Sequence, residues 1–192
     1  SNFKSRPVPI AGLPNTIAVD GQGGLFDVAV HPNYRENSLI YLSYSESAAD
    51  SFMSGSGTVL ARARLKGNTL DDFRVLFRMQ PASRGGRHFG GRIVFADDGT
   101  VFLTLGDRGS EERAQRAKDH AGSVIRLHDD GRVPADNPFV NHGSYLRESF
   151  SRGNRNIQGA ALHPRTGELW THEHGPQGGD EVNIIRAGRN YG

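Results

Sequence analysis

The best candidates for proton-transfer chemistry stand near the two ends of one stretch, "HFGGRIVFADDGTVFLTLGDRG", residues 88 to 109. His88 carries an imidazole, which titrates near working pH and can accept a substrate proton. Asp107 carries a carboxylate, which can fix the tautomer of a neighbouring imidazole and stabilise its protonated form. Asp98-Gly99 lies between them and is a strong hairpin dipeptide, because both positions tolerate positive φ. Strands pairing about that turn bring His88 and Asp107 together. On spacing alone, the same two residues serve equally well as a strand cap and a turn contact.

Three further motifs carry reactive or binding groups. In "RNIQG", residues 155–159, Arg155 and Asn156 offer a fixed cation beside an amide. That combination suits a carboxylate-bearing ligand or a developing oxyanion, although a single arginine is more often a surface residue. Gln22, between glycines in "GQGG", can hydrogen-bond a ligand that comes close to the backbone, or simply sit in a turn. In "THEHGPQGGDE", His172 and His174 are two apart and would share one side of a strand, as a transition-metal pair requires. Gly175-Pro176 follows at once, and Asp180 and Glu181 bring oxygen donors. Backbone carbonyls with carboxylates suit a hard cation such as calcium better than zinc. The two acids read equally as solvated turn residues.

Short strands are the elements that must position these groups. Three stretches repeat one plan of apolar strand, turn and second strand ending in polar residues: "LFDVAVHPNYRENSLIYLSYSE", "GGRIVFADDGTVFLTLGD" and "GAALHPRTGELWTHEHG". They recur about every 65 residues, longer than a typical propeller blade of about 40 to 50, so long inter-strand loops are expected inside each repeat. Repeated antiparallel hairpins favour a β-propeller over a sandwich, with a plain meander of hairpins as the alternative. The expected class is therefore all-β, with residues 1–192 forming one partial propeller domain. Few segments show a sustained helical period, and the best candidate is Ser110 to Ala121, "SEERAQRAKDHA". It is polar nearly all round and reads as an exposed helix or a structured loop.

Composition narrows the function classes. The 192 residues carry a net charge of +2, and a pI of 9.1 arises from arginines and acids that alternate along the chain. No basic run with interleaved aromatics is present, so nucleic-acid binding is not expected. No apolar stretch reaches the length of a membrane span. Cysteine is absent, which removes disulfides, thiolate metal sites and cysteine nucleophiles together. No glycine-rich nucleotide signature and no G-x-S-x-G nucleophile elbow occurs, which argues against a nicotinamide enzyme and a serine hydrolase of that type. The 25 glycines suit many turns between short strands. No signal peptide stands at this N-terminus, and Ser1-Asn2 reads as a cleavage remnant.

Taken in order, "GQGGLFDVAVHP", "HFGGRIVF", "LGDRG", "DNPF", "RNIQG" and "EHGPQGGDEVN" resemble the soluble pyrroloquinoline quinone (PQQ)-dependent glucose/sorbosone dehydrogenases, on the aldose sugar dehydrogenase side of that family. The resemblance covers nearly the whole chain. It implies a six-bladed β-propeller holding PQQ and calcium near its axis, with this chain supplying roughly half of the blades. It implies His88 as the base that takes a sugar hydroxyl proton while hydride passes to the quinone, with Asp107 orienting it. Arg155 would stabilise negative charge on the quinone oxygen, and Gln22 and Asn156 would contact the cofactor. The carbonyls of Gly175 and Pro176 match ligands of the cofactor-bound calcium, and Glu181 with the Tyr191 backbone matches a second calcium site. The implied substrate is an aldose, the product a lactone, the partner an external electron acceptor, and the location periplasmic or secreted. Arg87 departs from the small polar or acidic residue expected before the histidine. The remaining blades, which the family uses for further basic contacts to PQQ, lie beyond this sequence. A propeller that kept the scaffold as a binding module, or a calcium-dependent lactonase, is the alternative.

Overall fold

The computed structural model of the protein describes residues 8–48 and 55–192. Its described strands form three antiparallel sheets, each following chain order. The first holds β1 (Leu25–Val30), β2 (Leu39–Ser47), β3 (Ser56–Lys66) and β4 (Thr69–Arg78). The second holds β5 (Gly90–Phe95), β6 (Thr100–Leu105), β7 (Val124–His128) and β8 (Ser149–Ser151). The third holds β9 (Ile157–Leu162), β10 (Leu169–Glu173) and β11 (Glu181–Ile185). The three expected hairpins are β1-β2, β5-β6 and β9-β10. The leading strands β1, β5 and β9 pack against one another in turn, so the sheets stand as successive propeller blades and not as one flat meander.

Two expectations change in detail. The long spacing between hairpins holds outer strands as well as loop: β3 and β4 fill much of the first interval, while in the second the short β7 and β8 are set apart by the expected long loops, residues 106–123 and 129–148. At the β5-β6 turn Gly99 alone takes positive φ (+81°), while the Asp98 carboxylate accepts the Thr100 N–H at 2.9 Å and its hydroxyl at 2.6 Å. The local side-chain bonds thus do part of what two left-handed residues would do.

Alternation sorts the β6 side chains between two interfaces, which is why the whole strand is apolar or buried. Val101, Leu103 and Leu105 join Tyr41, Leu60, Phe77, Ile93 and Ile125 between the first and second blades. Phe102 turns the other way and meets Val124, Ile157, Leu169 and Ile185 against the third. The faces turned away from these interfaces keep apolar residues exposed: Val28 and Val30 on β1, Trp170 and Val182 on the third blade.

The Ser110–Ala121 segment is a structured loop with one 3-10 turn, Glu111–Gln115. It has no apolar stripe to anchor a helix. Arg113 fastens it from inside instead, with Nε donating to Asp119 Oδ2 at 2.8 Å, Nη2 to Asp119 Oδ1 at 2.9 Å, and Nη2 to the Pro81 carbonyl at 2.8 Å.

Candidate active site

The β5-β6 hairpin does bring His88 and Asp107 together. Nδ1 of His88 lies 2.7 Å from Oδ1 of Asp107, and the two side chains are 12% and 3% exposed. The same oxygen accepts the Gly109 N–H at 2.7 Å, so it acts as an acceptor and the ring proton sits on Nδ1. In the neutral ring Nε2 then carries the lone pair, and no described residue bonds to it. A pair held this way needs close backbone approach. A Cβ at Gly106 would stand 2.2 Å from the His88 carbonyl oxygen, so only glycine lets the strand ends meet. His88 itself has φ +54°, a left-handed conformation that side chains rarely adopt.

Gln22 reaches this pair from the approach to β1. Its Oε1 accepts the His88 backbone N–H at 2.8 Å, so it first holds the histidine and keeps only its amide NH2 for a ligand. Arg155 and Asn156 lie just before β9. The Asp107 N–H donates to the Arg155 carbonyl at 2.8 Å, and Gly106 bridges Asn156, which ties the two blades together at this point. Nη1 of Arg155 donates to the His174 carbonyl at 2.9 Å, setting the guanidinium beside Gly175. Asn156 is buried, and its Oδ1 accepts the Gln158 amide at 2.9 Å, so again only an amide NH2 is available.

Glu173 is a site residue that sequence reasoning missed. It is buried at the end of β10, and burial pushes its carboxyl above the ordinary glutamate value. Its Oε2 accepts the backbone N–H groups of Arg155 and Asn156, the latter at 3.0 Å, and so fixes the segment that carries both. One signal was available. In "LWTHE" the alternation that turns Leu169 and Thr171 inward also turns Glu173 inward.

A cavity of ≈ 470 Å³ opens beside Asp107 and Arg155, and Gly175, Pro176, Glu181 and Tyr191 line it too. Its size suits a small organic ligand, for which about 300–1,000 Å³ is usual. No described N–H donates to the Gly175 carbonyl, while the Pro176 carbonyl accepts the Gly179 N–H at 3.0 Å. Carbonyl and carboxylate oxygens such as those of Gly175 and Glu181, which line the cavity, are donors of the kind a hard cation takes. His172 and His174 have separate surroundings: the ring of His172 lies against Gly159, and His174 meets Asp180 at 3.4 Å. Among the described residues, no three His, Cys, Asp or Glu side chains gather as a metal cluster.

Comparison with known proteins identifies the family and the fold. The family model described as glucose/sorbosone dehydrogenase matches residues 2–192. Aldose sugar dehydrogenase YliI of Escherichia coli is 41% identical over 191 residues, covering 98% of this chain and 50% of that protein. The solved soluble aldose sugar dehydrogenase from Escherichia coli, in its apo-form, superposes with a TM-score of 0.93 at 41% identity, over 99% of this chain and 54% of the other. A PQQ-bound aldose sugar dehydrogenase from Streptomyces coelicolor superposes with a TM-score of 0.79 at 28% identity, over 93% of this chain and 50% of the other. The chain thus spans about half the length of the relatives it matches. Three blades in half a length agree with the six expected for a complete ring.

Proposed function

Since the chain belongs to the glucose/sorbosone dehydrogenase family, we propose that the whole protein oxidises an aldose to its lactone with PQQ and calcium. Residues 1–192 make one partial propeller domain of it, and the site lies where the inner strand ends meet. The observation that carries this reading is the His88–Asp107 pair at 2.7 Å, whose carboxylate residue lines the same cavity as Arg155.

The chemistry requires two groups to leave one carbon of the sugar, a hydride from carbon and a proton from its hydroxyl. PQQ supplies the hydride acceptor when bound. The hydride leaves more easily as the hydroxyl loses its proton, so a base must sit at that oxygen. His88 Nε2 takes the proton. Asp107 keeps the other ring proton on Nδ1 and balances the positive charge that develops. Arg155 would supply a fixed positive charge to the cofactor, and Gln22 and Asn156 would contact it through their amide groups. The carbonyls of Gly175 and Pro176 would hold calcium at the cofactor, and Glu181 with the Tyr191 backbone would hold a second calcium. Electrons leave to an external acceptor, and the protein works in the periplasm or outside the cell.

The test is reconstitution of the full-length protein with PQQ and calcium, followed by dye reduction with a panel of aldoses. The reading expects turnover, and cofactor absorbance that survives desalting. It also expects His88→Ala to lower turnover far more than it weakens PQQ retention. Absence of both turnover and retained cofactor refutes the enzyme assignment, and an unimpaired His88→Ala refutes the base.

A further inference from the structure

Arg108 is buried immediately behind the proposed base, and no described carboxylate comes within ion-pair distance of it. A guanidinium placed there without a direct counter-ion calls for a reason, since burying a charge is costly. Its contacts supply one. Nη2 donates to the Gly85 carbonyl at 2.6 Å and to the Ser56 hydroxyl on β3 at 3.2 Å. Nη1 donates to the Arg87 carbonyl. The guanidinium carbon lies 3.4 Å from the centre of the Phe89 ring, within cation–π range. The backbone N–H of Arg108 donates to the His88 carbonyl at 3.2 Å. Ser56 apart, every group so held belongs to the segment Gly85–Phe89.

That segment needs holding. His88 stands at φ +54° and Arg108 at φ +61°, and left-handed side-chain-bearing residues persist only where the surroundings over-determine them. A planar fork that bonds carbonyls on one side of His88 and lies flat on the ring that follows it does this. Lysine has neither the fork nor the flat face. Burial lowers the Arg108 pKa to about 10, with the field of Arg113 adding to that and those of Asp107 and Asp20 opposing it, so the side chain stays charged at neutral pH.

We propose that Arg108 is a positioning residue for the proton-accepting histidine: its fork on Gly85 and Arg87 and its face on Phe89 hold His88 in the backbone conformation that sets Nδ1 on Asp107. This rests on the reading of His88 as the base, so the test has one arm that does not use turnover. In the full-length apoprotein, the Nδ1 proton of His88 bonded to Asp107 should give a low-field proton NMR signal, identified by its loss in His88→Ala. Arg108→Lys and Arg108→Met are expected to lose that signal. In the reconstituted enzyme they should lower kcat about 10- to 100-fold, because a displacement near 1 Å costs about that much, while the sugar KM changes less than about three-fold. Lysine, although charged, should not rescue.

Persistence of the signal and of wild-type kcat in both variants overturns the proposal. So does recovery of both by lysine, since charge alone would then suffice. A fall in melting temperature with the signal and kcat per folded protein unchanged assigns Arg108 a merely structural part and also overturns it. If Arg108→Met fails to fold, Phe89→Leu decides: it removes the stacking surface, keeps the donors, and is expected to weaken the signal and kcat together. Should the wild-type enzyme show no turnover at all, the dehydrogenase reading fails on its own, and the NMR arm still tests the positioning.

Discussion

Replacing Asp107 by asparagine and by alanine separates what its charge does from what its shape does. Oδ1 accepts two donors, His88 Nδ1–H at 2.7 Å and Gly109 N–H at 2.7 Å. In Asp107→Asn the Gly109 N–H favours the amide oxygen at that place, since an NH2 group would meet it donor to donor. His88 therefore keeps a neutral acceptor and its tautomer, and loses only the charge. Hydrogen bonds to charged groups are worth about 1.5–3 kcal/mol and neutral ones about 0.5–1.5 kcal/mol. The difference, about 1–1.5 kcal/mol, falls on the protonated ring that forms as the base works, and it corresponds to roughly ten-fold in kcat. Asp107→Ala leaves both donors without an acceptor and frees the ring proton to move to Nε2. The expected loss is then the whole value of a positioned base, about 10²–10⁴-fold. The assay is dye reduction by the full-length protein reconstituted with PQQ and calcium, normalised to cofactor retained after desalting. Alanine within about three-fold of wild type refutes the pairing as functional. Asparagine as severe as alanine refutes the division between charge and tautomer.

Other perturbations probe the scaffold that presents the pair. Gly106→Ala puts a methyl 2.2 Å from the His88 carbonyl oxygen and needs about 1 Å of displacement, so kcat should fall about 10²-fold in the same assay. Asp119→Ala strands the buried Arg113 guanidinium and should lower unfolding stability by about 3–5 kcal/mol in urea titrations. His120 accepts the Gln80 N–H on Nδ1 at 2.9 Å, so Nε2 bears the proton and donates to Glu148 at 2.8 Å, holding that carboxyl below its ordinary value. A folded pKa below the unfolded one stabilises above the unfolded value and is lost as pH falls through the folded one. Glu148→Gln should therefore flatten the loss of stability on acidification below the ordinary glutamate value of 4.5, read from urea midpoints at a series of pH values.

Local chemistry made the inner hairpins legible, and tertiary contact hid most of the rest. Asp98-Gly99 and Thr166-Gly167 mark their turns by residue type, and Gly99 and Gly167 do take positive φ. The outer pair β3-β4 also has a turn signal, Gly67-Asn68, but no glycine-led repeat around it, so its residues were absorbed into loops. Glu173 and Arg108 show their roles only through partners elsewhere in the chain: the backbone of residues 155–156 for one, the carbonyls of Gly85 and Arg87 for the other. A side chain that serves by holding another segment leaves little trace in its own neighbourhood.

The topology explains why the scattered motifs share one site. In an antiparallel hairpin the start of the first strand and the end of the second lie at the same edge. Gln22 comes before β1, His88 before β5, and Arg155 and Asn156 before β9; Asp107 follows β6 and Gly175 follows β10. Because β1, β5 and β9 pack side by side, those starts and ends gather along one rim of the blades. The turns at Asp98-Gly99 and Thr166-Gly167 lie at the far ends of the same hairpins, away from that rim. Chemistry and folding signals are therefore segregated within each hairpin: turn residues set the register at one end, and the register delivers reactive side chains at the other. The consequence for His88 is specific. Its pairing with Asp107 depends on the β5-β6 register through Gly90 opposite Leu105, and on the glycine that lets the strand ends close. The His88–Asp107 pair is thus a product of hairpin geometry before it is a feature of any cofactor site.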